Sequence, residues 1–290
     1  MTILVSGGRG IVGRFVFERL AAAGHAVLTG TRQPAEEGER MLVLDPGRDQ
    51  KDAFSGIDAF VHAAFDHVPG RYRGGEGDDP AGFRRRNLDG TIRLFEEARA
   101  AGVVRAVFLS SRAVYGKQVS GAELLETTQP HPDTLYGEIK LAAEEAALAL
   151  SGPGFAVAVL RVTGVYGGPP ERNKWTSMIR DWLAGREVAP RAATEVHGTD
   201  VAEAVRLMLD LPQDCVAGGV FNVSDMLVDT RDILGIVAET LGGARPLPPF
   251  ADASTVNAMN TERLRSLGWR PGGPALLRRE VEALARALGR

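Results

Sequence analysis

Tyr136-Gly137-Glu138-Ile139-Lys140 sets a phenol and an ammonium four residues apart. On a helix that spacing puts both groups on one face, with their Cβ atoms about 5–6 Å apart. A tyrosine hydroxyl ordinarily ionises near pH ~10, and a cation held beside it favours the phenolate. Tyr136 and Lys140 are therefore a candidate general acid/base pair for work near neutral pH. Ser110-Ser111, after the apolar run Ala106 to Leu109, is the second feature of this kind. A hydroxyl at the end of a strand can donate to a substrate oxygen and hold it against a tyrosine. The same dipeptide also suits a turn or a helix cap. No Asp/His pair surrounds these serines in a nucleophile elbow, which disfavours hydrolysis.

A second chemistry is written at the N-terminus, where Ser6-Gly7-Gly8-Arg9-Gly10-Ile11-Val12-Gly13 follows the apolar run Ile3-Leu4-Val5 and opens a helical pattern. Gly7, Gly10 and Gly13 suit a sharp turn, close approach of a pyrophosphate and tight packing of helix on strand. The amides at that helix start, Ile11 and Val12 among them, can bind phosphate. Gly30-Thr31-Arg32 ends the second apolar run, where an NAD-binding chain usually carries an acid for the ribose hydroxyls. Arg32 can pair with a 2′-phosphate, which favours NADP over NAD; the alternative is an arginine that faces water. Asp45, read as the end of a third strand, suits an acceptor for the adenine edge or, before Pro46, a turn former.

These groups need a scaffold. The runs Ile3–Val5, Ala26–Leu28, Met41–Leu44, Ala59–Val61, Ala106–Leu109 and Phe155–Leu160 alternate with helical patterns at about 11–24, 79–102 and 134–150. Continuous apolar runs suit strands covered on both faces, so the reading is α/β: a Rossmann-type doubly wound parallel sheet. Gly70, Gly74, Gly75, Gly77 and Pro80 break the rhythm between Phe65 and Pro80, which reads as a mobile loop near the site. Gly167-Gly168-Pro169-Pro170 marks a change to a helix-rich remainder. The expected division is a dinucleotide-binding domain at 1–165 and a smaller C-terminal substrate-binding domain at 166–290, with a possible crossover back.

In 290 residues, 44% hydrophobic and 24% charged, there is enough apolar chain for a full core. A net charge of −3 carries no basic excess, which argues against nucleic acid or an anionic membrane as partner and for a small molecule. Cys215 is the single cysteine, and no Cys/His grouping has metal-site spacing. No signal-peptide pattern and no membrane-length apolar run are seen, so a cytoplasmic protein is expected.

Taken together the residues resemble the extended short-chain dehydrogenases/reductases, the NAD-dependent epimerase/dehydratase group, over nearly the whole chain. The landmarks are Gly7-x-x-Gly10-x-x-Gly13, His62-x-Ala64, Asn87-x-x-Gly90-Thr91, Ser111 four residues before Tyr115, and Tyr136-x-x-x-Lys140. In the second half they are Arg161-x-x-x-Val165-Tyr166-Gly167, His197-x-x-Asp200, Phe221-Asn222-Val223 and Leu267-Gly268-Trp269-x-Pro271. The resemblance implies hydride transfer at a nicotinamide, with Ser111, Tyr136 and Lys140 catalytic and Lys140 on the nicotinamide ribose. It also implies Ala63 and Ala64 among the cofactor contacts, and a possible homodimer.

Two departures bear on substrate: sugar-nucleotide members commonly carry Asn where this chain has Gly164, and Arg where it has Ala193. Arg191, Arg172 and Lys174 are substitutes for those diphosphate ligands or simply solvated. The leading expectation is an NADP-preferring oxidoreductase for a small carbonyl or alcohol. The alternatives are a nucleotide-sugar 4-epimerase or dehydratase with tightly bound NAD, and a non-catalytic NADP-sensing protein.

Overall fold

The apolar runs close into one parallel sheet in the structure, a computed structural model that describes residues 1–33, 36–68, 75–242 and 245–289. Its strands are β1 (Thr2–Ser6), β2 (Ala26–Thr31), β3 (Glu39–Met41), β4 (Ala59–His62), β5 (Arg105–Ser111) and β6 (Ala156–Val162). β7 (Gly164–Tyr166), β8 (Ala192–His197), β9 (Gly219–Val223) and β10 (Met226–Asp229) follow. Seven of them form the main sheet in the order β3-β2-β1-β4-β5-β6-β9, every pairing parallel. The chain winds outward from β1 in one direction and from β4 in the other. The carboxyl ends of β1 and β4 therefore flank the crevice in which such sheets hold ligands.

Strand alternation divides the core between the two faces. Ile3, Val5, Val61 and Leu109 face the helices Ile11–Ala22 and Gly198–Asp210 through Phe15, Val16, Leu20, Val201 and Val205. Leu4, Phe60, Phe108 and Val159 face the helices Gly90–Ala100 and Leu135–Ala149 through Leu94, Phe95, Ile139 and Ala143.

Three boundaries differ from the sequence reading. The third strand ends at Met41, so Asp45 lies in the turn beyond it. The helix expected over 79–102 is Pro80–Arg84, a π turn over Arg85–Asp89, and Gly90–Ala100. The remainder is less purely helical than expected: β7, β8 and β10 make a separate three-stranded sheet, and β9 joins the main one. These strands are three to six residues long and carry no sustained alternation, which hides them from a periodicity reading. The small sheet has its own core, in which Tyr166, Trp175, Trp182, Ile233, Val237 and Val281 meet. Residues 69–74 of the expected loop lie outside the described residues.

Candidate active site

Thr134 Oγ1 accepts the amide of Gly137 at 3.1 Å and starts the helix Leu135–Ala149, which places Tyr136 in its first turn. Gly137 is needed for close approach: a Cβ there would lie 2.5 Å from the carbonyl oxygen of Ala113. The helix is thereby pressed against the turn Arg112–Tyr115 that follows Ser111. Ser110 and Ser111 are the last two residues of β5, and Ser111 Oγ accepts the amide of Ala113 at 3.2 Å.

Tyr136 is half-buried and meets the ring of Phe65 edge-on, with centroids 4.9 Å apart. One helical turn on, Lys140 is buried, and its Nζ donates to the carbonyl of Leu109 at 2.8 Å. The same ammonium lies 4.8 Å from the ring centre of Phe65 and 4.7 Å from that of Phe108. Phe65 thus touches both members of the pair. Burial pulls the Lys140 ammonium down to about 7, and the charge of Glu144 opposes it.

Behind this pair lies a buried polar network that the sequence reading did not find. Glu144 accepts from Ser110 Oγ and takes Arg161 through Nε at 3.1 Å and Nη2 at 2.8 Å. The Arg161 guanidinium lies 4.8 Å from the ring centre of Tyr115, whose hydroxyl donates to Asn222 Oδ1 at 2.7 Å. Glu126 is half-buried, and its Oε1 accepts the Asn222 amide at 2.9 Å. Glu144 stands four residues after Lys140 on one helix face, and that spacing was the available signal.

At the other end of the crevice Gly7 adopts φ +69°, and a Cβ on it would lie 2.9 Å from Ala64. A Cβ on Gly13 would lie 2.1 Å from the Gly7 carbonyl oxygen. Gly10 begins the helix Ile11–Ala22 with no side-chain cap, so the amides of its first turn are left for a ligand, and Ile11 is 43% exposed there. A turn closed to side chains, with uncapped amides above it, fits a pyrophosphate.

Ala63 and Ala64 donate their amides to Ser6 Oγ at 3.1 and 3.3 Å. Ser6 also lies 2.8 Å from His62 Nδ1, and His62 Nε2 lies 3.0 Å from Thr91 Oγ1, which donates to Asn87 O at 2.7 Å. With Thr91 committed as donor to Asn87, His62 donates through Nε2 and accepts from Ser6, which is the neutral imidazole. Its burial agrees, holding the ring at about 3, with Lys140 adding to the depression. The His62 and Asn87-Gly90-Thr91 landmarks thus form one relay that fixes the Ala63-Ala64 segment.

Thr31 ends β2 with a buried hydroxyl that has no hydrogen-bond partner. Arg32 beside it is 83% exposed, 3.7 Å from Asp66. Asp45 takes the turn-former role: its Oδ1 accepts the amide of Gly47 at 3.0 Å and lies 3.4 Å from Arg85 Nη2. Arg9 was passed over in sequence as part of the glycine turn. It is exposed and pairs with Glu39 of β3 at 2.5 Å, a second cation beside the β2 edge. Among the described residues no helix is long and apolar enough to cross a membrane, and no cluster of three or more His, Cys, Asp or Glu could hold a metal.

The model of the NAD dependent epimerase/dehydratase family matches residues 3–224. A UDP-glucose 4-epimerase of Lacticaseibacillus casei is 29% identical over 93% of this chain and 92% of its own. Among solved structures, MoeE5 in complex with UDP-glucose and NAD superposes with a TM-score of 0.80 at 27% identity, covering 99% of both chains. RMD from Pseudomonas aeruginosa complexed with NADPH superposes with a TM-score of 0.75 at 25% identity, covering 100% of this chain and 99% of that one.

Proposed function

The chain belongs to the NAD dependent epimerase/dehydratase family and is a nicotinamide-dependent oxidoreductase of the extended short-chain dehydrogenase type, and from that premise we propose that it prefers NADP and acts on a small carbonyl or alcohol. The observation that carries the catalytic part is that Tyr136 and the Lys140 ammonium both meet the ring of Phe65, with Lys140 tied to the carbonyl of Leu109 in β5. Arg9 and Arg32, both exposed beside β2 and each drawn to a carboxylate, support the NADP preference. One similar structure carries NADPH and another NAD, so family membership leaves this choice to the local residues.

A nicotinamide bound there would supply or accept the hydride. Tyr136 passes the balancing proton to or from the substrate oxygen. Lys140, held by Leu109 O and poised at about 7 by its burial, favours the ionised form of that hydroxyl in its protonated state. Ser111, across from Val162 at the end of β5, donates to the same oxygen and fixes its direction. Gly7, Gly10, Ile11, Val12 and Gly13 would hold the pyrophosphate, with Ala63 and Ala64 among the other cofactor contacts.

A second reading, a nucleotide-sugar epimerase with tightly held NAD, is favoured by the names and ligands of the relatives above. Titration of the purified chain with NADPH and NADH separates the two. The proposal expects NADPH to bind about tenfold tighter, with Arg32→Ala erasing the difference. Copurified NAD that resists exchange, with no net redox turnover, would favour the epimerase.

A further inference from the structure

Two residues past Val162, the cross-strand partner of Ser111, Gly164 begins β7 and faces Glu195 on β8. That is at most about 7 Å further along the chain. A Cβ at Gly164 would lie 2.6 Å from Glu195 Oε2 and 2.7 Å from Lys174 Nζ. The missing side chain is therefore what lets those two tips stand beside the end of β6.

Glu195 is 2% exposed and pairs with Lys174 and, at 3.7 Å, with Arg191. The Lys174 and Arg191 side chains are 29% and 64% exposed. Two cations against one carboxylate leave one positive charge, and the cations are what reaches water. The nearby carboxylates contact other groups, Asp200 the Gly272 amide at 3.1 Å, Asp225 the Gly273 amide at 3.0 Å and Glu280 His197 Nε2 at 3.5 Å, and among the described residues Glu195 alone forms an ion pair with Lys174 or Arg191.

We infer that Lys174 and Arg191, braced by Glu195 in the space left by Gly164, bind a single carboxylate on the substrate. The inference rests on the oxidoreductase reading and names its substrate class as a short hydroxy or keto acid. One carboxylate matches the one unbalanced charge, whereas a diphosphate would overfill it.

The test is calorimetric titration of the full chain, loaded with NADP, with short 2-hydroxy and 3-hydroxy acids, their matching amides and uridine diphosphate. At least one acid should bind, with its amide about tenfold weaker or undetectable. Arg191→Gln, which leaves the Lys174 and Glu195 pair in place, should weaken that acid about tenfold without moving NADP affinity or the thermal midpoint. Lys174→Met combined with Glu195→Gln removes the buried pair as neutral groups, leaves Arg191 as the one cation of the three and should weaken acid binding about tenfold in a folded chain. The inference is overturned by absence of acid binding, equal binding of the amide, no effect of either variant, or uridine diphosphate binding ahead of every acid. NADP binding retained in those outcomes confines the failure to this inference; a wild-type chain that binds no NADP sinks the oxidoreductase reading and this inference with it.

Discussion

Lys140→Met keeps the length of the side chain and deletes its charge. Lys140 is 4% exposed, and burial holds its amine at about 7 against an ordinary 10.5. Between those values the unfolded chain carries a proton that the folded chain lacks. Wild-type stability therefore rises with pH across that window, and below about 7 the burial penalty is present in full. Each pH unit inside the window is worth about 1.4 kcal/mol. The methionine variant lacks the group, while other titrations cancel between the two proteins. Its stability relative to wild type should therefore fall by about 3 kcal/mol between pH ~7.5 and pH ~9.5. Urea unfolding of both proteins across that range measures the difference. Parallel curves would show that Lys140 is not desolvated when folded, and the electrostatic account of the site would fail with it.

Glu144→Gln leaves Arg161, whose side chain is 6% exposed, buried without its counter-charge, and should cost about 3–5 kcal/mol in urea unfolding. Adding Arg161→Met should recover part of that loss, and additive losses would contradict a direct pair. Gly13→Ala forces a Cβ to within 2.1 Å of the Gly7 oxygen, so the turn must open; NADPH affinity should drop by about tenfold or more, as read by fluorescence titration. His62, held at about 3 against an ordinary 6.5, should stay neutral as pH falls from 7 to 5, and its ring resonances should not move. By linkage the folded state loses about 2 kcal/mol by pH ~5, because the unfolded imidazole takes the proton; an NMR inflection near pH 6 would refute this.

The parts of the site legible in sequence are those whose function forces spacing. Gly7, Gly10 and Gly13 must recur because any Cβ there meets backbone, and Tyr136 and Lys140 must lie one helical turn apart to share Phe65. The main sheet was legible for a similar reason, since β1, β4, β5 and β6 are covered on both faces and read as continuous apolar runs. What escaped is set by distant partners. Glu144 looks like a surface charge, and its pairing with the landmark Arg161 is hidden, until β6 and the helix Leu135–Ala149 are packed together; Glu195 is buried by strands too short to announce themselves. The end of β3 was misplaced because Leu42, Val43 and Leu44 continue the apolar run after the ladder with β2 has stopped at Met41. Asp45 then fell into a turn, where its side chain found the Gly47 amide. Gly137 carried a readable signal, a glycine between the two catalytic candidates, that only the contact with Ala113 explains.

The decisive measurement is single-turnover hydride transfer from NADPH in wild type and Tyr136→Phe, with cofactor affinity measured on the same samples. If the phenol at position 136 carries the proton, the variant binds NADPH as wild type does and transfers hydride about a hundredfold to ten-thousandfold more slowly. An unchanged transfer rate with bound NADPH would contradict the account at its centre.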